Sequence, residues 1–470
     1  MKKYYIFATV CMGLLLTSTS NSMASVALST IMKDLNTTLI LAGWVISGFS
    51  LVHTVAMPLM GKISDMLGRK RTFIAYMVVF LGGSILCALS SNIYFLIGSR
   101  IFTAFGAAGL MPCAASLVHD EFPKDWPRYI GLFSSVFPIG MIIGPNIGGW
   151  IVQAFGWRYM FWFNLPFGAI VLLASVLLLP KKEDRNGEKS IDLFGAGLLF
   201  SSIFSFMLGL SQLKSSVGGI SWALVGGLCA LAIGLFITFL WWERRVKSPI
   251  IDLSILSRGP FLAANLYNFF YGMGGLGVLS LIPLYAVSVY KMSVLQSGLL
   301  MTPRSVTMIV ASGLTSFIMT RTGYFKPIMF GTITLVAGLL LLSLQPQGIA
   351  FGGVQISVVV LLVGIVGLCG LGSGTATPAS NNACLELMPD KIATISGIRG
   401  MFRSLGSTMG VSIATVILNN IESVQQGWFV VYMVSAILVL LSTPAVFRMT
   451  SFVKLRAPAI SSNKSITSNP

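Results

Sequence analysis

Long apolar runs broken by short polar clusters set the pattern of this chain. The runs lie near 4–28, 39–60, 72–90, 93–117, 129–153, 158–180, 191–213, 220–242, 261–288, 297–319, 328–346, 351–378, 396–419 and 427–449. A bilayer core takes about 20 apolar residues per helix, so the pattern predicts about fourteen membrane-spanning helices. The clusters between runs are short, and no extramembrane domain is expected. After Lys454 the chain turns to Ser, Asn, Pro and Thr, which reads as a disordered end.

Composition narrows the class. Hydrophobic residues make up 55% of the 470 and charged residues 10%. Mean hydropathy is +0.85. A soluble domain carries roughly 25% charged residues. The 31 basic and 14 acidic side chains cannot clothe a soluble globule of this length. A cytosolic enzyme, a secreted disulfide scaffold and a disordered chain are excluded, leaving an all-α polytopic membrane protein. The net charge of +17 does not point to nucleic acid, because the basic residues sit in short clusters between the runs. There they serve topology and contact with anionic lipid. Cys11, Cys87, Cys113, Cys229, Cys369 and Cys384 lie in or beside the runs without metal-ligand spacing. They read as small buried hydrophobes, and no metal, disulfide or cofactor is expected. Lys2, Lys3 and Ser22-Met23-Ala24 mimic a leader peptide, but apolar residues resume at Val26-Ala27-Leu28, so a retained first span is expected. No Gly-rich Lys-Ser/Thr phosphate loop is present, which argues against an ATP-driven pump.

Basic residues orient the spans. With the N-terminus inside, the inner loops take Lys62, Arg69, Lys70, Arg71, Lys124, Arg128, Lys181, Lys182, Arg185, Lys189, Arg244, Arg245, Lys247, Arg258, Arg321, Lys326 and Lys391. Arg399 and Arg403 fall at the inner end of the thirteenth span. The outer loops take only Lys33, Arg158, Lys214 and Lys291. This bias predicts N-in, C-in topology and an even number of spans.

A worn internal repeat is visible. Gly61-Lys62-Ile63-Ser64-Asp65-Met66-Leu67-Gly68-Arg69-Lys70-Arg71 comes after the second run, and Ser316–Gly323 after the tenth. Ser316 stands where Gly61 stands, Thr320 for Asp65 and Gly323 for Gly68. Copies at matching places suggest a transporter built from repeats, with its site near the midplane. Gly61 allows close helix approach, Asp65 can accept hydrogen bonds at a helix terminus, Gly68 permits a tight turn, and Arg69 helps hold the loop inside.

Gly61–Arg71 resembles the signature loop of the major facilitator superfamily. Leu96–Arg100 with Gly106-Ala107-Ala108 resembles its span-4 motif, with Arg100 the motif arginine. Gly140-Met141-Ile142-Ile143-Gly144-Pro145-Asn146-Ile147-Gly148-Gly149 resembles its span-5 antiporter motif, and Trp157–Pro166 is similar to the stretch next to that motif in drug exporters. With fourteen runs, the chain resembles the fourteen-helix drug/proton antiporter branch over essentially its whole length. The resemblance implies a six-helix bundle at 1–180, two inserted helices and linkers at 181–260, a second six-helix bundle at 261–450 and a cytoplasmic tail at 451–470. It also implies bundles that rock around a central cavity. Gly140, Gly144 and Gly148 recur every four residues, a flat face for close packing, and Pro145 bends the helix. Such a helix suits a moving seal; plain small-residue packing is the other reading.

Polar side chains within spans are costly unless they face protein or water. Thr17, Asn21 and Ser25 form one stripe, flanked by Ser18 and Ser20. Asn265, Asn268 and Tyr271 form another. They are expected to line a substrate cavity, although interhelical hydrogen bonds explain each singly. Ser20 stands where the family carries a membrane-embedded aspartate. Every one of the fourteen acids falls in a loop or at a span end, whereas Arg100 and Arg304 each lie seven residues into a span. At 1.5 Å per residue that is about 10 Å deep. Arg100 is therefore expected to face Ser20 and Asn21. His53 is left as the proton-coupling candidate, or else a packed polar group.

The expected function is secondary active export of amphiphilic drugs or toxic organic compounds across the plasma membrane, driven by proton antiport. The expected partners are a small amphiphile, protons and the bilayer, and the protein is expected to be monomeric. An exporter of one endogenous metabolite or lipid precursor is the first alternative. A non-transporting membrane sensor is the second. The missing carboxylate favours acidic or zwitterionic substrates over permanent cations.

Overall fold

The computed structural model describes residues 2–37, 39–180, 192–212, 222–246, 249, 259–292, 294–347, 349–351, 354–387 and 391–449. The expected tail at 451–470 lies outside the described residues, as does most of the linker sequence at 181–191 and 251–258.

The described chain is almost entirely helical. In order come α1 (Lys2–Val26), α2 (Leu28–Asp34), α3 (Leu39–Leu67), α4 (Arg69–Ala88), α5 (Ile93–Glu121), α6 (Trp126–Ser134), α7 (Val136–Phe155), α8 (Arg158–Trp162), α9 (Asn164–Leu178), α10 (Leu193–Gln212) and α11 (Trp222–Glu243). Then come α12 (Gly259–Tyr271), a π-helical turn (Gly272–Gly277), α13 (Ile282–Tyr290), α14 (Val294–Leu299), α15 (Met301–Thr322) and α16 (Phe325–Ser343). An antiparallel hairpin of β1 (Ile349–Phe351) and β2 (Val354–Ile356) precedes α17 (Val358–Glu386), α18 (Ile392–Asn420) and α19 (Val424–Leu440). The run expected to begin a span at 351 thus starts as a strand, and the helix begins after Ser357, whose hydroxyl accepts from Val360 N. Apolar strand and helix starts look alike over so few residues.

Twelve of the described helical stretches are long and apolar enough to cross a membrane. Two further expected spans are helical but fall short of that standard. The apolar stretch of α10 is only Phe194–Leu210. α15 is long enough but carries Arg304, Ser312, Thr315 and Ser316, all buried on one side.

Helix boundaries have local causes. Gly68 takes φ +86° between α3 and α4, a region that favours glycine, so the turn collapses to one residue and Gly61–Leu67 stays helical. Gly323 takes φ +72° at the matching place after α15. Asn92 caps α5 by accepting from Phe95 N at 2.8 Å.

The chain forms two compact units. One holds Met1–Gly209, Trp222–Ile250 and Lys391–Met401; the other holds Leu210–Ser221, Ile251–Asp390 and Phe402–Pro470. α18 therefore divides, its first turns belonging to the first unit. In that unit a buried cluster of Met23, Ala27, Val45, Leu96, Trp157 and Phe161 packs α1, α3, α5 and α8 together. In the second, Gly370 and Gly374 of α17 seat against the backbone of α15 at Arg304 and Met308, and Gly372 against α16 at Leu335. Small residues at crossings let backbones meet, which replaces hydrophobic drive between helices in lipid.

Candidate functional site

In the first unit, α1 sends its polar side chains in several directions. Ser18 donates to the Phe137 carbonyl of α7 at 2.7 Å, and Ser22 to the Gly140 carbonyl at 3.0 Å. Thr17 and Ser25 donate to their own helix, at Leu14 O and Ser22 O. Asn21 keeps a buried Oδ1 without a partner. Ser20 accepts from Asn164 Nδ2 at 2.9 Å, and the same amide reaches Ser84 Oγ at 3.2 Å. A three-residue polar knot thus joins α1, α4 and α9 in a fully buried place.

Arg100 does not turn to Ser20 or Asn21. It is 1% exposed, and its Nε donates to the Val45 carbonyl at 3.2 Å. Its guanidinium lies 4.2 Å from the Phe49 ring centre and 5.8 Å from that of Phe161. Both Nη atoms are buried without partners. Phe49 also stacks on His53, with ring centres 5.6 Å apart at 17°. The rings of α3 thus place a cation and an imidazole on one phenyl group. His53 makes no hydrogen bond among the described residues.

The signature-loop residues act at the end of another helix. Asp65 Oδ2 accepts from both the backbone N and the hydroxyl of Thr394, each at 2.9 Å. Thr394 lies in the first turn of α18, where backbone N–H groups have no helical acceptor and a carboxylate is favoured. Arg69 lies 3.9 Å from Asp65, pairs with Asp120 and donates to Ser116 O at 2.8 Å. A side chain on Gly61 would meet the Ala393 carbonyl carbon at 2.9 Å and Thr394 Cα at 3.1 Å.

Gly140, Gly144 and Gly148 meet α1 of their own unit. A Cβ at Gly140 would lie 2.6 Å from Ser18 Cβ, at Gly144 2.7 Å from Thr19 O, and at Gly148 2.9 Å from Met23 Cγ. Gly149 is looser, 3.8 Å from Val26, and Pro145 sits inside the helix. The face expected to act as a moving seal is occupied by α1.

In the second unit, Asn265 and Asn268 donate to Phe261 O and Ala264 O of their own helix. The Asn265 Oδ1 and Tyr271 Oη atoms are buried without partners. Tyr271 stacks on Tyr267 at 5.6 Å. Arg304 is 8% exposed, with its Nε unpaired.

Sequence alone leaves several important residues unassigned. Asn164 lies inside the Trp157–Pro166 motif, but nothing in one sequence pairs it with Ser20. Arg403 reads as an inner-end charge, yet it is the twelfth residue of α18. Gly272 and Gly277 pack on Arg403 and Ser407, while Gly406 and Gly410 pack on Phe269 and Met273. This close pairing in the second unit corresponds to that of α1 with α7 in the first.

At the loop end of α2, Asp34 pairs with Arg158 and accepts from Trp157 Nε1 at 3.0 Å. Arg158, and after it Trp157, holds this carboxyl below the usual carboxylate range.

Known proteins resemble the chain throughout. It is 27% identical over 378 residues to the multidrug transporter protein MdtP of Bacillus subtilis strain 168, covering 80% of this chain and 68% of that protein. It is 28% identical over 418 residues to the riboflavin transporter RibZ of Clostridioides difficile strain 630, covering 87% of each. The crystal structure of the human organic anion transporter MFSD10 (TETRAN) shares the fold with a TM-score of 0.65 at 16% identity, over 94% of this chain and 99% of that one. The Major Facilitator Superfamily profile matches residues 10–411, and the chain belongs to that superfamily of multi-span membrane transporters.

Proposed function

We propose that the protein is a fourteen-helix, N-in and C-in exporter of amphiphilic drugs or toxic organic compounds, working in the plasma membrane by alternating access and proton antiport. The observation that carries this reading is Arg100. A guanidinium enclosed in a membrane helix with two unpaired nitrogens costs a few kcal/mol. Such a group is kept where it handles a substrate, an ion or a moving partner, which a passive sensor does not require. Multidrug relatives support the substrate class. His53, on the ring that carries Arg100, is the proposed proton carrier. Export of a single metabolite is the second reading, favoured by the riboflavin transporter among the relatives.

The test is flux by purified protein in liposomes, with pH and voltage gradients imposed separately. Antiport predicts dye movement driven by a pH gradient and abolished when it collapses. Dye moving down its own gradient regardless of pH would remove the antiport step. Flux confined to one metabolite would favour the second reading.

A further inference from the structure

Two cations of the second unit lie within helices and have no counter-ion. Arg304 is the fourth residue of α15 and Arg403 the twelfth of α18. Neither makes a hydrogen bond or ion pair among the described residues, and the Arg304 Nε is enclosed without an acceptor. The two guanidiniums are near enough to repel each other. The Tyr271 phenol lies within electrostatic reach of both, and Tyr267 within reach of Arg403. The Tyr271 hydroxyl is also buried without a partner. The backbone fixes these groups in place. A side chain on Gly272 would meet the Arg403 carbonyl carbon at 3.2 Å, and one on Gly370 would meet that of Arg304 at 2.8 Å.

Like charges in a low-dielectric interior repel strongly, and each unpaired guanidinium adds its own desolvation cost. The cluster offers two planar donor forks and a hydroxyl, with no carboxylate to accept from them. An anion relieves both costs at once. Guanidinium geometry matches a carboxylate through two parallel bonds. The neighbouring Tyr267–Tyr271 ring pair suits an aromatic body.

We propose that Arg304, Arg403 and Tyr271 form an anion subsite that takes the carboxylate of an aromatic organic acid. This rests on the transport reading above and specifies the substrate class at one end of the site.

The test uses full-length protein, purified in detergent and also reconstituted in liposomes. The probes are fluorescein, a xanthene carboxylate, and rhodamine 123, a cationic xanthene ester of similar size. Arg304→Gln and Arg403→Gln should each weaken fluorescein binding about tenfold to a hundredfold while rhodamine 123 changes less than about twofold. Lysine at either position should recover part of the loss, and thermal unfolding should match wild type. Equal losses for both dyes would mark a structural role and overturn the proposal, as would unchanged fluorescein binding. Displacement of fluorescein by equimolar phosphatidylglycerol would make the site a lipid-headgroup site and also overturn it. A wild type that carries rhodamine 123 but does not bind fluorescein sinks the subsite alone. One that carries neither dye sinks the transport reading with it.

Discussion

The Asp65 carboxylate holds the first turn of α18 through two hydrogen bonds to Thr394. Hydrogen bonds to a charged group are worth about 1.5–3 kcal/mol, and this one also opposes the positive end of a helix. Asp65→Asn keeps one acceptor oxygen but loses the charge. Transport should fall more than about tenfold at unchanged membrane level, scored by dye efflux against protein on a blot. Gly61→Leu should act the same way, since its neighbour there is backbone that cannot move aside. Normal efflux by both variants would show that this clasp is not part of the cycle. His53 poses a different question. Its only ring contact is Phe49, which also carries Arg100. His53→Gln should flatten the pH dependence of transport across the range where histidine titrates. A pH profile identical to wild type would remove His53 as the proton carrier. Asp34 tests linkage at the surface. Its folded pKa is lowered by Arg158 and Trp157. Its contribution is therefore present above the unfolded pKa and lost as pH falls through the folded one. The pair is exposed, so the effect is within about 1 kcal/mol. Asp34→Asn should lower the thermal midpoint slightly at neutral pH and not below the folded pKa. A deficit that persists in acid would mean that the ion pair is not its source.

Among helices, two glycine contacts invite comparison. Gly144 of α7 is stopped first by the Ser22 hydroxyl of α1, a side-chain atom, while Gly410 of α18 is stopped by the Met273 backbone. Gly144→Ala should therefore lose thermal stability and regain part of it in the Gly144→Ala/Ser22→Ala double variant. Gly410→Ala should be destabilised with no such rescue, because its obstacle is main chain. Additive losses in the first double variant would show that α1 and α7 do not meet at this point. The same contact explains why Gly144→Leu should unfold the unit rather than jam a seal. This is also where the reach of the sequence ends. Apolar runs locate nearly every helix because each crossing must be apolar by itself. The four-residue glycine spacing is equally plain. Which helix fills a glycine face depends on how distant elements rotate about their axes, and periodicity does not carry that. Ser20 with Asn164 and Arg100 with Phe49 are hidden for the same reason. α15 is legible as a span even though its mean hydropathy is low, because its polar residues fall on one buried side.

For the whole molecule, span number and orientation are one problem. α11 runs Trp222–Glu243, about 33 Å, and reaches across a hydrocarbon core of about 30 Å. The apolar stretch Phe194–Leu210 of α10 covers about 26 Å, a shortfall that bilayer thinning can absorb at modest cost. If α11 crossed and α10 did not, everything after residue 243 would be inverted. Arg321, Lys326 and Lys391 would then face outward, against the basic-inside rule. If neither crossed, both ends would stay inside, but Lys214 and its neighbours would lie with the cytoplasmic loops. Fourteen crossings place the segment between α10 and α11 outside, and keep the basic clusters inside. The expectation is decided with single cysteines in a variant lacking the six native ones, labelled in intact cells by a membrane-impermeant maleimide. Ser216→Cys should label from outside, and Lys124→Cys only after the cells are opened. Lys326→Cys should behave like Lys124→Cys. If Ser216→Cys is protected while Lys326→Cys is also protected, the inserted helices do not cross and the chain has twelve spans. If Lys326→Cys labels from outside, the second half is inverted and the charge rule has failed for this protein.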